Sequence, residues 1–227
     1  MDNPTILFIL EGQDENNITK YMTNCFFKGH FKAKIINLPI EQNIYMLYNI
    51  LKEDNFETDF VEILRETVLE AKCILEGIPR QDIQEIFLFF DFDPQQNNVK
   101  YGNTCDDVIG TLINTFDNET ENGKLYINYP MLESIYDFSG DRCLPFTSCY
   151  IKTNQLSNYK RLVGKDNPMA SVHYKINDWK NIVNSFYLKI LCFFNKKELC
   201  YEDYKNDITA NSIYNLQKDE INENKRV

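Results

Sequence analysis

Histidine is nearly missing from this 227-residue chain, which has only His30 and His173. That leaves a histidine-based zinc site or a Ser-His-Asp triad little to draw on, with His173 left open as a single general base. Cysteine occurs at 25, 73, 105, 143, 149, 192 and 200. The number is odd and no pair has C-x-x-C spacing, so neither a zinc knuckle nor a disulfide framework is indicated. Reduced, mostly buried thiols are expected. Long apolar runs are missing too: ILFIL and IFLFF have strand length, far from the ~20 residues that cross a bilayer. The opening MDNPTILFIL lacks a basic segment and meets Glu11 at once, unlike a signal peptide, so a cytoplasmic location and no membrane contact are expected. There is no GxxxxGK[ST] motif, so any nucleotide dependence has to come from a partner.

What the chain does have is core material and acid. It is 43% hydrophobic, enough for one domain with an appendage, and its formal net charge is −10. The charge is unevenly spread. Residues 1–150 hold 11 Lys and Arg against 25 Asp and Glu, whereas 151–227 hold 13 against 9. A basic segment on an acidic protein can still guide a polyanion, because local potential decides what docks; an ordinary solvated face is the equal alternative.

Hydrophobic periodicity divides the chain into alternating elements. TILFIL (5–10) reads as a strand buried on both faces and closed by Glu11 and Gly12. A helix over 14–27 follows with Asp14 as its cap, then a strand over 31–38 ended by Pro39. Helices are expected over 40–54 and 58–77, the latter stopped by Gly77 and Pro79. EIFLFFDFD supplies the third strand, 103–116 a helix, and KLYINYP (124–130) the fourth strand. This order builds an α/β fold, a parallel sheet of about four strands with helices on both faces. Residues 1–140 are expected to form that domain. Residues 141–227 are expected to form a basic, loop-rich insertion followed by a helix over 178–197 and a last helix fraying into a charged tail.

In such sheets ligands bind beyond the carboxyl ends of the strands, where Glu11, Asp91 and Asp93 fall. Within a strand, residues i and i+2 share a face, so Asp91 and Asp93 are expected side by side. Crowded carboxylates raise one another's pKa, and FLFFDFDP contains no Lys or Arg to relieve them. A divalent cation would, and Mg²⁺ suits a few carboxylate oxygens while leaving positions for phosphate, with Mn²⁺ as a substitute. Asp14 and Glu15 lie near the same edge.

The pairing of ILFILEG with the later FLFFDFD resembles the toprim domain shared by topoisomerases, primases and small nucleases, over roughly residues 5–137. The resemblance implies a magnesium site of Glu11, Asp91 and Asp93 and a nuclease cleaving phosphodiesters. The spacing of about 80 residues exceeds that of minimal toprim modules, and the helices of 40–77 account for it. The segment GKLYINYPMLESIYDF is similar to one in standalone toprim nucleases of bacterial anti-phage defence, which implies Glu133 as a fourth catalytic acid, joined by Asp137 one turn later. Equally, Glu133 serves only to stabilise the first turn of a helix after Pro130.

The same resemblance implies an effector acting on RNA such as tRNA, or on DNA, together with an ABC-type ATPase partner, and it leaves a homodimer open. Candidate phosphate contacts are Lys152, Lys160, Arg161, Lys165 and Lys175, with Tyr150, Tyr159 and Tyr174 for stacking on bases. Two alternatives stand beside it: a housekeeping RNA-processing nuclease of the same fold, and a catalytically inactive protein-interaction module whose acids only cap turns.

Overall fold

TILFIL forms strand β1 (Thr5–Leu10) inside a sheet, with Leu7, Ile9 and Leu10 fully out of water. The structure, a computed structural model, describes residues 4–27, 32–93, 105–136, 150–166 and 174–227. It divides into two compact units, Met1–Asn128 and Tyr129–Val227.

The first unit contains the sheet. After β1 come helix α1 (Gln13–Phe27), strand β2 (Lys34–Pro39), helices α2 (Ile44–Glu53), α3 (Phe60–Thr67) and α4 (Leu69–Ile74), and strand β3 (Ile83–Asp91). Helix α5 (Cys105–Thr115) and strands β4 (Asp117–Asn118) and β5 (Gly123–Asn128) complete it. The strand order is β2-β1-β3-β5-β4, parallel except for the β4–β5 hairpin. The fold is therefore α/β, with the four expected strands parallel and one short antiparallel strand that periodicity did not reveal. The Asn118 carboxamide oxygen accepts from the Thr120 amide at 3.0 Å and closes that hairpin. Gly123 has φ +110°, and a Cβ there would lie 2.7 Å from Leu88 Cδ1, so the start of β5 has room for glycine alone.

The chain crosses from β1 to β2 in one direction and from β2 to β3 and β3 to β5 in the other, so crossovers of a single hand put α1 on one face of the sheet and α2 to α5 on the opposite one. Ile86, Leu88 and Phe90 are buried beneath the larger helical layer. The opposite face carries an aromatic row. Phe8 meets Phe87 and Phe89 edge-on, with centroids 5.6 and 5.7 Å apart, and Phe89 stacks on Tyr126 at 5.5 Å. Asp91, two residues beyond Phe89, ends the same row by the period-two rule.

Several helices differ from expectation for local reasons. The first helix begins at Gln13, so Asp14 lies inside its first turn and is not the cap. The second begins at Ile44, because the Asn43 side chain accepts from the amides of Tyr45 and Met46. The helix expected over 58–77 is broken at Val68, a buried β-branched residue with extended backbone (φ −116°, ψ 118°). Gly77 does adopt the left-handed conformation that follows a helix end, at φ 72°.

The second unit is helical. It has 3₁₀ segments at Leu132–Tyr136 and Thr153–Asn158, then α6 (Tyr159–Asp166), α7 (Ile176–Phe193), α8 (Tyr201–Asp207) and α9 (Ala210–Asp219). The stretch 153–166 is thus helical, where loop was expected. Tyr159 and Val163, four apart on α6, pack with Met131, Tyr136 and Ile151. On α7 Trp179 and Ile182 are buried, whereas the neighbouring Val183 is 63% exposed. The last helix is two, because Thr209 and Ser212 cap a new start. Nor does the tail fray: Ile151 and Val227 exchange two backbone hydrogen bonds of 2.9 Å, and Arg226 pairs with Glu220. Among the described residues, no helix is long and apolar enough to cross a membrane.

Candidate metal centre at the carboxyl edge of the sheet

Glu11 and Asp91 reach this edge on neighbouring strands. The β1–β3 register ends with Leu10 opposite Phe89, and the Glu11 amide extends the ladder by donating to the Phe89 carbonyl at 3.2 Å. Parallel strands on a common register deliver their next residues to one place. The Asp91 amide donates to Glu11 Oε2 at 2.9 Å, tying together two residues 80 positions apart. The Glu11 carbonyl accepts from the Gln42 amide at 3.3 Å, so the segment after β2 secures the same corner.

Asp91 is buried, only 6% exposed, and ends β3 opposite Asn128, the last residue of β5. Asn128 Nδ2 donates to Asp91 Oδ1 at 3.1 Å. Asp93 falls two residues past the end of the strand and is half-buried. Asp93 thus stands outside the regular strand, yet its charge still acts on Glu11.

Other acids approach the edge from α1 and from the segment after β2. Glu15, buried in the first turn of α1, accepts from the Gly12 amide at 2.9 Å. The point where a Gly12 Cβ would stand is 3.5 Å from Glu15 Oε2 and 3.6 Å from Glu41 Oε2. A side chain at position 12 would thus stand in ordinary contact with two carboxylates.

The electrostatic consequence appears at Glu11. Burial, aided by the charges of Asp91, Glu15 and Asp93, pushes its carboxyl from 4.5 up to about 8, against the lowering effect of the Asp91 amide. Near neutral pH Glu11 holds a proton unless a cation replaces it. Hard carboxylate oxygens with this unmet charge fit Mg²⁺ or Mn²⁺ in donor chemistry. Their present arrangement is not a finished cage: among the described residues, no group of three or more His, Cys, Asp and Glu side chains is arranged to hold a metal ion. One Glu11 oxygen faces the Asp91 amide instead.

The remaining candidates lie in the second unit. Glu133 is in the first turn of the 3₁₀ segment, as the plainer reading had it, and pairs with Lys160 at 3.0 Å. Its other oxygen, Oε2, is buried without a hydrogen-bond partner among the described residues. Lys152, Arg161 and Lys175 are exposed; Lys152 bridges to Arg226 through the backbone, Arg161 reaches Asn158 and Lys175 caps α7. Lys165 is on α6, with its side chain outside the described residues. Tyr159 and Tyr174 are buried, Tyr174 against Trp179, so neither presents a face for stacking. Only Tyr150 is open, at 42%, and Arg226 lies over its ring. His30, Asp137 and His173 fall outside the described residues. Contrary to the expected buried thiols, Cys73 and Cys200 are exposed.

Sequence reasoning missed Asn128 and Glu41. Asn128 had a usable signal, since it ends its apolar strand just where Asp91 ends β3. Glu41 had none, because its approach depends on the path of the chain after β2. The chain matches no protein-family model, and no solved structure matches it.

Proposed function

We propose that the first unit is a toprim-like, magnesium-dependent phosphodiesterase that cleaves nucleic acid, RNA such as tRNA before DNA. One observation carries the reading: Glu11 and Asp91 leave adjacent, parallel, register-matched strands at the carboxyl edge, with Asp93 two residues on. Glu11, Asp91 and Asp93 would hold the ion. When bound, it would supply Lewis-acid polarisation of a phosphodiester and a more acidic water. Glu11 would give up its proton on taking an ion, so binding would strengthen with rising pH. Asp91 keeps its carboxylate oriented through Asn128. Exposed Lys152, Arg161 and Lys175 suit phosphate contacts, and Lys160 does so once released from Glu133. The biological setting that accords with the resemblance is anti-phage defence alongside an ABC-type ATPase, with housekeeping RNA processing as the variant of substrate.

A second reading has its own observation. Glu11 already serves the Asp91 amide, and among the described residues no three acids form a cage, as in an inactive interaction module whose carboxylates only secure turns.

Calorimetry with Mn²⁺ and Mg²⁺ separates the two. The nuclease reading expects binding to the wild type and its loss in Asp91→Ala; negligible binding in both would leave the interaction module. Sequencing of RNA ends from cells expressing wild type or Glu11→Ala then tests the substrate, and matching profiles in cells where the protein is active would remove RNA.

A further inference from the structure

Phe92, the residue between the two aspartates, has both backbone polar groups engaged. Its amide donates to the Asn128 carbonyl at 3.0 Å, and its carbonyl accepts from the Tyr45 hydroxyl at 2.9 Å. Its side chain is buried, as is Tyr45, which is 1% exposed on α2. Asn128 adds the contact at Asp91 Oδ1. A carboxylate only accepts, so Asn128 has to present its NH₂ there, leaving its own side-chain oxygen directed elsewhere.

We infer that Asn128 and Tyr45 are positioning residues that hold the Asp91-Phe92-Asp93 segment at the sheet edge, so that Asp91 is already oriented when a cation binds. The inference rests on the metal-site reading above. Asn128 fixes the carboxylate through β5, and Tyr45 fixes the following carbonyl from the helical layer. The chemistry of the clamp distinguishes it from a device for stability alone. Holding a buried Asp91 with a Lys or Arg would stabilise it more but would cancel the charge that a cation needs. A neutral amide orients the acid and leaves its charge in place. Groups of this kind, bonded to a metal ligand rather than to the metal, typically govern affinity by 10- to 100-fold.

The test is Mn²⁺ calorimetry on the full chain at pH 7.5, with melting of the metal-free protein measured in parallel. Asn128→Leu is expected to weaken Mn²⁺ binding about tenfold or more, and Tyr45→Phe, which keeps the ring, several-fold. Ile109→Val, a buried change on α5, lowers the melting temperature by a few degrees and leaves the affinity at its wild-type value. If wild type binds and Asn128→Leu and Tyr45→Phe bind equally well, the inference falls and the metal site stands. Should Asn128→Leu not fold, the isosteric Tyr45→Phe decides alone. No binding by wild type at millimolar Mn²⁺ overturns the metal reading and this inference with it.

Discussion

Glu11 at the end of β1 and Glu133 in the second unit are both drawn largely out of water, and the chain answers them differently. Glu133 has a cation, Lys160, at 3.0 Å. Glu11 has the Asp91 amide at 2.9 Å, with Asp91, Glu15 and Asp93 all opposing its ionisation. A carboxylate paired with lysine is electrostatically complete. One surrounded by its own kind is stable only when protonated or when a foreign cation arrives. The sheet edge therefore leaves an acid whose charge is unmet, whereas in the helical unit one oxygen of Glu133 is met by lysine.

The largest expected effect that sharpens the contrast is the pH dependence of stability. The folded-state pKa of Glu11, about 8, lies above its unfolded value of 4.5. The native state thus binds the extra proton, and its stabilising contribution is full below pH 4.5, declines as pH rises to about 8, and is gone above it. Glu11→Gln removes this slope. At pH 8.5 without metal the variant should be more stable than wild type by on the order of 3 kcal/mol, and near pH 4.5 the two should match, as measured by denaturant unfolding.

Second in size is the response to metal. Millimolar Mn²⁺ should raise the stability of wild type by about 1 to 2 kcal/mol at pH 7.5, seen as a higher melting temperature. Glu11→Gln should lose most of that gain, whereas Glu133→Gln should keep it. An equal loss in Glu133→Gln would break the contrast between the two acids.

Third, Lys160→Met leaves Glu133 without its partner and should cost about 1 kcal/mol, a modest figure because Lys160 is 61% exposed. Adding Glu133→Gln should recover most of it in a double-mutant cycle. The smallest effect belongs to a pair open to water on both sides, Lys196 with Asp207 at 3.3 Å. Lys196→Ala should change stability by less than about 0.5 kcal/mol.

Much of the first unit could be read from residue order. Continuous apolar runs such as TILFIL and IFLFF have strand length and little tolerance for water on either face, so their places and polarity follow from composition alone. The acids closing those runs mark the carboxyl edge before any strand is paired. The helical unit was less legible. Its buried tyrosines, Tyr159 and Tyr174, are amphipathic residues that suit a core or a surface equally well. The break at Val68 likewise lies within a run whose period is helical on both sides.

Residue order determined that Glu11 and Asp91 would end strands, because burying an apolar run forces the first charged residue to its rim. Tertiary structure alone decided that those strands are neighbours, that β5 brings Asn128 to Asp91, and that Asp93 leaves the ladder. Pairing joins residues 80 and 37 positions apart, and such contacts depend on which edge each crossover selects, a choice made by packing the helices over the whole sheet.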